Sequence, residues 1–235
     1  MAQISRKELK SDEFVSGMDA AYEYFLQNQK TIIVTAVVVA IVIGIGYGIY
    51  AWRSGRERSA AAMLAQGLNT LHAPLQANGA PAGVATYPNA QARAAAAAPR
   101  FEAVLAQYGS TDSGQLARYY LGLAQLDEKN PQAEKTLQAA ADSGNQIAAT
   151  AAKHALANLA IQQNKPATAH ALLLELTKQD SATLPKAVAI MELADLDRTY
   201  NPKEAAQYYR ELQADYPSTS TALQAKQQLD SLPKT

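Results

Sequence analysis

Ala97, Ala133, Ala169 and Ala205 stand thirty-six residues apart. Four residues after each come Phe101, Leu137, Leu173 and Tyr209, and three further on Val104, Ala140, Leu176 and Leu212. Steps of four and three put all three positions on one face of a helix. A helical face that returns at a fixed long period marks a stacked repeat, whose single units cannot bury their apolar faces alone. The outer copies agree most widely: FEAVLAQYGST (101–111) aligns with YRELQADYPST (209–219), sharing Ala, Tyr, Ser and Thr at the same offsets. The C-terminal part of the chain is also rich in Ala, Leu and Gln and poor in Val, Ile and Phe, which favours helices over strands.

The later copies open on Asn130-Pro131, Lys165-Pro166 and Asn201-Pro202. Proline suits the first turn of a helix, where its missing N–H would be unpaired anyway, and it pushes the residue before it out of the helical region. Each dipeptide is therefore expected to end one helix and begin the next. The upstream helices are predicted at 113–128 (SGQLARYYLGLAQLDE), 146–163 (QIAATAAKHALANLAIQQ) and 185–199 (PKAVAIMELADLDRT). Gly122, Ala157 and Ala194 precede the repeated alanines by eleven or twelve positions, so the paired helices are expected to cross where both lack bulk. This small-large-small pattern resembles the tetratricopeptide repeat, with slightly longer turns. The likeness covers about 97 to 231, and the usual aromatic early in the first helix is replaced by Arg118 and Lys153, so the repeats are degenerate. The stretch 218–233 (STSTALQAKQQLDSLP) reads as a polar capping helix.

Upstream lies a second constraint. From Thr31 to Trp52 twenty-two residues carry no charge, and Arg53, Arg56 and Arg58 follow. As a helix this run reaches about 33 Å, matching the roughly 30 Å of bilayer hydrocarbon. It is longer than a signal-peptide core, thirty residues precede it, and Tyr47, Tyr50 and Trp52 close it as an interfacial belt. An uncleaved anchor is expected. Ala36, Ala40, Gly44 and Gly48 stack on one side of it, a surface on which a second membrane helix can approach closely. The fold class is therefore all-α, a single N-terminal transmembrane helix followed by a tetratricopeptide-like α-solenoid. The expected domains are a tail at 1–30 with a short amphipathic helix, the span at 31–52, a membrane-proximal helix and loop at 53–96, and the repeats at 97–235. In the tail, Phe14, Met18, Tyr22 and Phe25 share a face opposite Asp12, Glu13, Asp19 and Glu23, an acidic character that anionic lipid would repel. In 53–96, a helix at 54–72 leads to a loop at 72–89 with four prolines or glycines within ten residues. Helix then resumes at Ala94–Ala98, with Pro99 either a kink or the true start.

Several functions are excluded. From Arg53 onward, 17 Lys and Arg face 16 Asp and Glu, which leaves no basic field for nucleic acid. There is no cysteine, hence no disulfide, thiol nucleophile or thiolate-held zinc. His72, His154 and His170 form no His-x-x-x-His or His-Glu-x-x-His pair, no G-x-S-x-G elbow occurs, and the GIGYG of the anchor lacks the strand and Lys-Ser/Thr of a phosphate loop. Asp195 with Asp197, and Asp127 with Glu128, read as solvated helix charge. No catalytic, cofactor-binding, metal-binding or small-molecule site is predicted. What remains is a groove. Tetratricopeptide geometry places Tyr119, Leu123, His154, Asn158, Met191, Asp195 and Arg198 on its concave wall, a mixed surface for an extended or helical peptide. It lacks the Lys and Asn cluster that grips a terminal carboxylate.

The acidic tail, YFLQNQK before one span, YGIYAWR after it, and degenerate repeats together resemble the YfgM-like family of ancillary translocon subunits. That resemblance implies a bacterial inner-membrane protein with its tail in the cytoplasm and its repeats in the periplasm. It further implies association with the translocon, periplasmic chaperones or client chains as partners, and no enzymatic activity. A structural scaffold for a cell-envelope or division complex is the alternative. The flanking charges pull the other way: Arg53, Arg56 and Arg58 outweigh Lys30 and favour cytoplasmic repeats. Because the charge rule is strongest for short loops, tail in and repeats out is the expectation.

Overall fold

The computed structural model describes residues 6–76 and 85–232, with side chains from residue 24 onward. It divides into two units, Met1–Gly55 and Arg56–Thr235. Nine helices lie among the described residues: α1 (Arg6–Leu71), α2 (Ala90–Tyr108), α3 (Asp112–Asp127), α4 (Ala133–Ala141), α5 (Gln146–Gln162), α6 (Pro166–Leu176), α7 (Lys186–Tyr200), α8 (Pro202–Asp215) and α9 (Ser220–Ser231). No strand occurs among them; Leu75 and Tyr87 form one isolated bridge.

The first unit holds the N-terminal part of α1. Ile33, Val34, Val37, Ile41, Ile43, Tyr47, Tyr50 and Trp52 are each more than half exposed. The helix is long and apolar enough to cross a membrane. A Cβ added at Gly44 or Gly48 meets nothing within 4 Å, so the stripe those residues share with Ala36 and Ala40 lies open. The expected amphipathic face at Phe14, Met18 and Tyr22 falls outside the described side chains, as does part of the 72–89 loop, residues 77–84.

The second unit is a tetratricopeptide-like stack in which each helix from α2 onward packs on the next. All twelve residues of the thirty-six-residue register are buried, none more than 7 % exposed. They anchor four consecutive clusters. Leu137, Ala140 and Ala141 meet Ala152 and Leu156; Ala157 and Leu173 meet Ala189 and Leu193; Ala194, Tyr209 and Leu212 meet Ala225. The first cluster joins Leu64 and Leu71 of α1 to Ala97, Phe101 and Val104 of α2 and Leu121 of α3. From Arg56 on, α1 is thus the first helix of the first pair, which carries the stack further upstream than the register at 97. The register hides it because of an insertion. Gly67 precedes Phe101 by 34 residues, whereas Gly122 precedes Leu137 by 15, and the loop after Leu71 accounts for the excess. That loop closes on itself: the Gln76 N–H donates to the Tyr87 carbonyl at 2.9 Å and the Tyr87 N–H to the Pro74 carbonyl at 3.2 Å. Pro99 lies inside α2, whose true start is capped by Asn89 accepting from the Ala92 N–H at 2.7 Å.

Local chemistry sets the other ends. Thr111, Asn145 and Thr219 cap α3, α5 and α9 through their side-chain oxygens, while Pro166 and Pro202 begin α6 and α8. Pro131 departs from the expectation. It sits in a turn before α4, where the Asn130 carboxamide oxygen takes the Gln132 N–H at 2.9 Å and delays the helix to Ala133. Both α3 and α5 end with a left-handed residue, Lys129 at φ 60° and Asn164 at φ 55°. The next N–H reaches back in each case: Asn130 to the Gln125 carbonyl at 2.8 Å, Lys165 to the Ala160 carbonyl at 2.8 Å. Glu57 of α1 supplies a carboxylate to the start of α3, accepting from the backbone N–H groups of Asp112 and Ser113 at 3.0 Å each. There it meets both unpaired donors and the positive end of the helix dipole.

Gly67 tests this assignment of the first pair. A Cβ there would stand 2.5 and 2.8 Å from Phe101 ring carbons, and that ring is fully buried and stacked on Tyr120 at 5.9 Å. Gly to Ala inside a helix ordinarily stabilises by about 1 kcal/mol. Here Gly67→Ala is expected to destabilise by about 1–2 kcal/mol, because overpacking outweighs propensity. Urea titration of the full chain reads the sign, and a stabilised variant would show that α1 does not pair with α2 in this way.

Candidate protein-binding groove

The first helices of successive pairs, α3, α5 and α7, expose one face each. Helical spacing puts Tyr119, Leu123 and Leu126 in a row on α3, and Ala151, His154, Asn158 and Gln162 in a row on α5. Together with Asp127 and Lys129 they line a groove of about 580 Å³. Asn158 also borders a second hollow, of about 490 Å³, against Glu192, Asp195, Leu196 and Thr199 of α7. The two share that asparagine and run on as one strip across three repeats.

Five of the seven sequence-predicted positions therefore meet in this strip: Tyr119, Leu123, His154, Asn158 and Asp195. Two do not. Met191 is 5 % exposed and packs with Tyr209, Leu212 and Ala225 in the core. Arg198 is exposed but turns to the capping helix, donating to Gln228 Oε1 at 2.6 Å. Met191 lies on the face of α7 that packs against α8 and α9, and Arg198 lies beside α9. Asp127, Gln162, Glu192 and Thr199 were not predicted. The first two lie one turn beyond the predicted residues of their helices, a signal available in the spacing. Glu192 needs the fold, since it enters through a neighbour on another repeat.

The polar groups of the strip are organised. His154 Nε2 stands 2.7 Å from Glu192 Oε2 and 3.3 Å from Asn158 Nδ2, so imidazole and carboxylate bridge α5 to α7 across the floor. The hydrogen bond to Glu192 raises the His154 pKa above its ordinary 6.5, against the lowering by burial. Asp195 accepts from the Tyr209 hydroxyl at 2.6 Å. Burial first, and this hydrogen bond second, push the Tyr209 phenol up, so it stays a neutral donor. Burial likewise raises the Tyr119 phenol, with Tyr120 adding to the shift. Asp127, Glu192 and Asp195 against Lys129 give the strip a mildly acidic character, alternating with the apolar surface of Leu123, Leu126 and Leu196. Such a surface pairs with main-chain amides, basic side chains and small apolar anchors of a peptide.

Away from the strip, His170 of α6, Asp197 of α7 and Glu204 of α8 converge, with one ligand-type atom from each lying within 4.8 Å of the others. Their positions in the sequence gave no hint of it.

No protein-family model matches the chain, and no curated protein matches it either. Among solved structures it is similar to nearly identical TPR-like repeats ascribed to a kinesin light chain of Podosopora anserina. That likeness has 17 % identity and a TM-score of 0.46, over 58 % of this chain and 76 % of the other.

The His154–Glu192 bridge makes the groove pH-sensitive. Because the folded pKa of His154 is raised, the stability from the charged pair is fully present below the unfolded value and is lost as pH rises through the folded one. NMR titration of the His154 ring should give a value above 6.5 that falls in Glu192→Gln. A value indifferent to that substitution would remove the bridge.

Proposed function

We propose that this chain is a membrane-anchored, non-enzymatic protein-binding factor that takes extended or helical segments of other polypeptides along the strip from Tyr119 to Asp195. The observation that carries this reading is the strip itself. The first helices of three successive pairs leave aromatic, aliphatic, amide and carboxylate groups accessible in two adjoining hollows that share Asn158, while the register residues beside them are buried. An extended surface on the first helices of stacked repeats is how solenoids bind their partners.

The setting proposed is the bacterial inner membrane. One helix, at the N-terminal end, serves as the anchor, with the tail in the cytoplasm and the repeats in the periplasm. The stripe of Ala36, Ala40, Gly44 and Gly48 is its surface toward a second membrane helix. The YFLQNQK and YGIYAWR flanks of the span and the degenerate repeats support a place beside the protein-export translocon, acting as adaptor or chaperone-like factor between emerging chains and periplasmic chaperones.

A photoreactive amino acid in place of exposed Asn158, with the same substitution at Lys135 of α4 as control, tests the reading in intact membranes. Crosslinks from position 158 to the export channel and to many different secreted chains are expected, with few from position 135. A small fixed set of envelope proteins from position 158 would instead make the chain a scaffold, and equal patterns from both positions would remove the groove as the binding surface.

A further inference from the structure

We propose that His170, Asp197 and Glu204 form a binding site for a zinc-class divalent transition ion, which ties α6, α7 and α8 together. None of the three lines the groove, so the site is independent of the binding reading above.

The geometry comes first. His170 Nε2 lies 3.2 Å from Asp197 Oδ2 and 3.8 Å from Glu204 Oε2. Ligands of a tetrahedral ion at bond lengths of roughly 2.0–2.1 Å stand about 3.3–3.4 Å apart, so the two spacings bracket what such an ion requires. Glu204, whose side chain is 53 % exposed, is free to close the difference. A second observation points the same way. Asp197 is 1 % exposed, yet its Oδ2 and His170 Nε2, an ion pair at 3.2 Å, are not aligned for a good hydrogen bond to each other and have no other hydrogen-bond partner. Neighbouring ligands of one ion show this disposition, since each must aim at the cation rather than at the other.

Charge gives the third argument. A buried carboxylate is costly unless a positive charge compensates it. Among the described residues no Lys or Arg is ion-paired with Asp197 or Glu204. Other than His170, the groups near Asp197 are the Asn201 carboxamide, a long 3.5 Å from its Oδ1, the neutral Tyr208 phenol and the like charge of Glu204. A dication would supply the charge this carboxylate lacks. The donor set narrows the ion: an imidazole nitrogen disfavours Mg²⁺ and Ca²⁺, which take oxygen ligands, and suits zinc and its neighbours. Three protein ligands leave a fourth position for water.

Equilibrium dialysis of the purified full-length chain against Zn²⁺, with the metal measured by mass spectrometry, tests the site; Co²⁺ serves as a spectroscopic probe. One equivalent of Zn²⁺ is expected, retained against excess Mg²⁺ and Ca²⁺, with the visible absorption of four-coordinate cobalt in the Co²⁺ form. Saturating Zn²⁺ should raise the Tm by about 5 °C or more. Asp197→Asn and His170→Gln should each weaken binding at least ten-fold, while His72→Gln should not change it. Glu204→Gln is the decisive variant, because its exposed side chain carries little of the fold; it too should lose at least ten-fold. Absence of stoichiometric Zn²⁺, or binding that survives Glu204→Gln undiminished, would overturn the proposal and leave a His170–Asp197 ion pair in its place.

Discussion

Each layer of the stack depends on one kind of contact: a notch with little or no side chain in the first helix of a pair, filled by the largest apolar side chain of the second. A Cβ added at Gly67 would press on the Phe101 ring, and one added at Gly122 would stand 2.6 Å from Leu137 Cδ2 and 2.7 Å from its Cγ. Ala157 packs in the same cluster as Leu173, and Ala194 in the same cluster as Tyr209. These contacts bring paired helices close enough to bury the intervening alanines completely. Because the pairs are locked on that side, the opposite faces of α3, α5 and α7 stay available, and the strip from Tyr119 to Asp195 is the result.

The register was legible in the sequence for the same reason. A crossing point tolerates only a few residue types, so Ala133, Ala169 and Ala205 recur even where the rest of the repeat has drifted. Helix ends were less legible. Pro166 and Pro202 begin helices as their chemistry predicts, but Pro131 is overruled by the Asn130 side chain. The left-handed Lys129 carries no residue signal, since glycine is the usual occupant there and asparagine, as at Asn164, the next. The first pair escaped because the loop after Leu71 broke the spacing that identified the others. On the groove wall, Tyr119, Leu123, His154, Asn158 and Asp195 border the two hollows, whereas Met191 turns into the core between α7, α8 and α9 and Arg198 turns to Gln228 of α9.

Histidine is where local reading falls short. Spacing along the chain found no partner for His154 or His170, yet each meets carboxylates from later helices, Glu192 in one case and Asp197 with Glu204 in the other. In a solenoid such partners are typically a repeat length away in sequence, so short motifs do not reveal them. Both clusters join one repeat to the next, where stability is a sum of nearest-neighbour interfaces.

A double-mutant cycle between Gly122 and Leu137 tests the crossing contact most directly. Leu137→Ala alone should cost about 2–5 kcal/mol through the cavity it leaves. With the Leu137 side chain removed, the added methyl of Gly122→Ala no longer clashes and fills part of that space. The double variant of the full chain should therefore be more stable than the sum of the single effects predicts, by about 1 kcal/mol or more. Effects that add to within about 0.5 kcal/mol would mean the two residues do not meet, and the account of the stack built on that contact would fail with them.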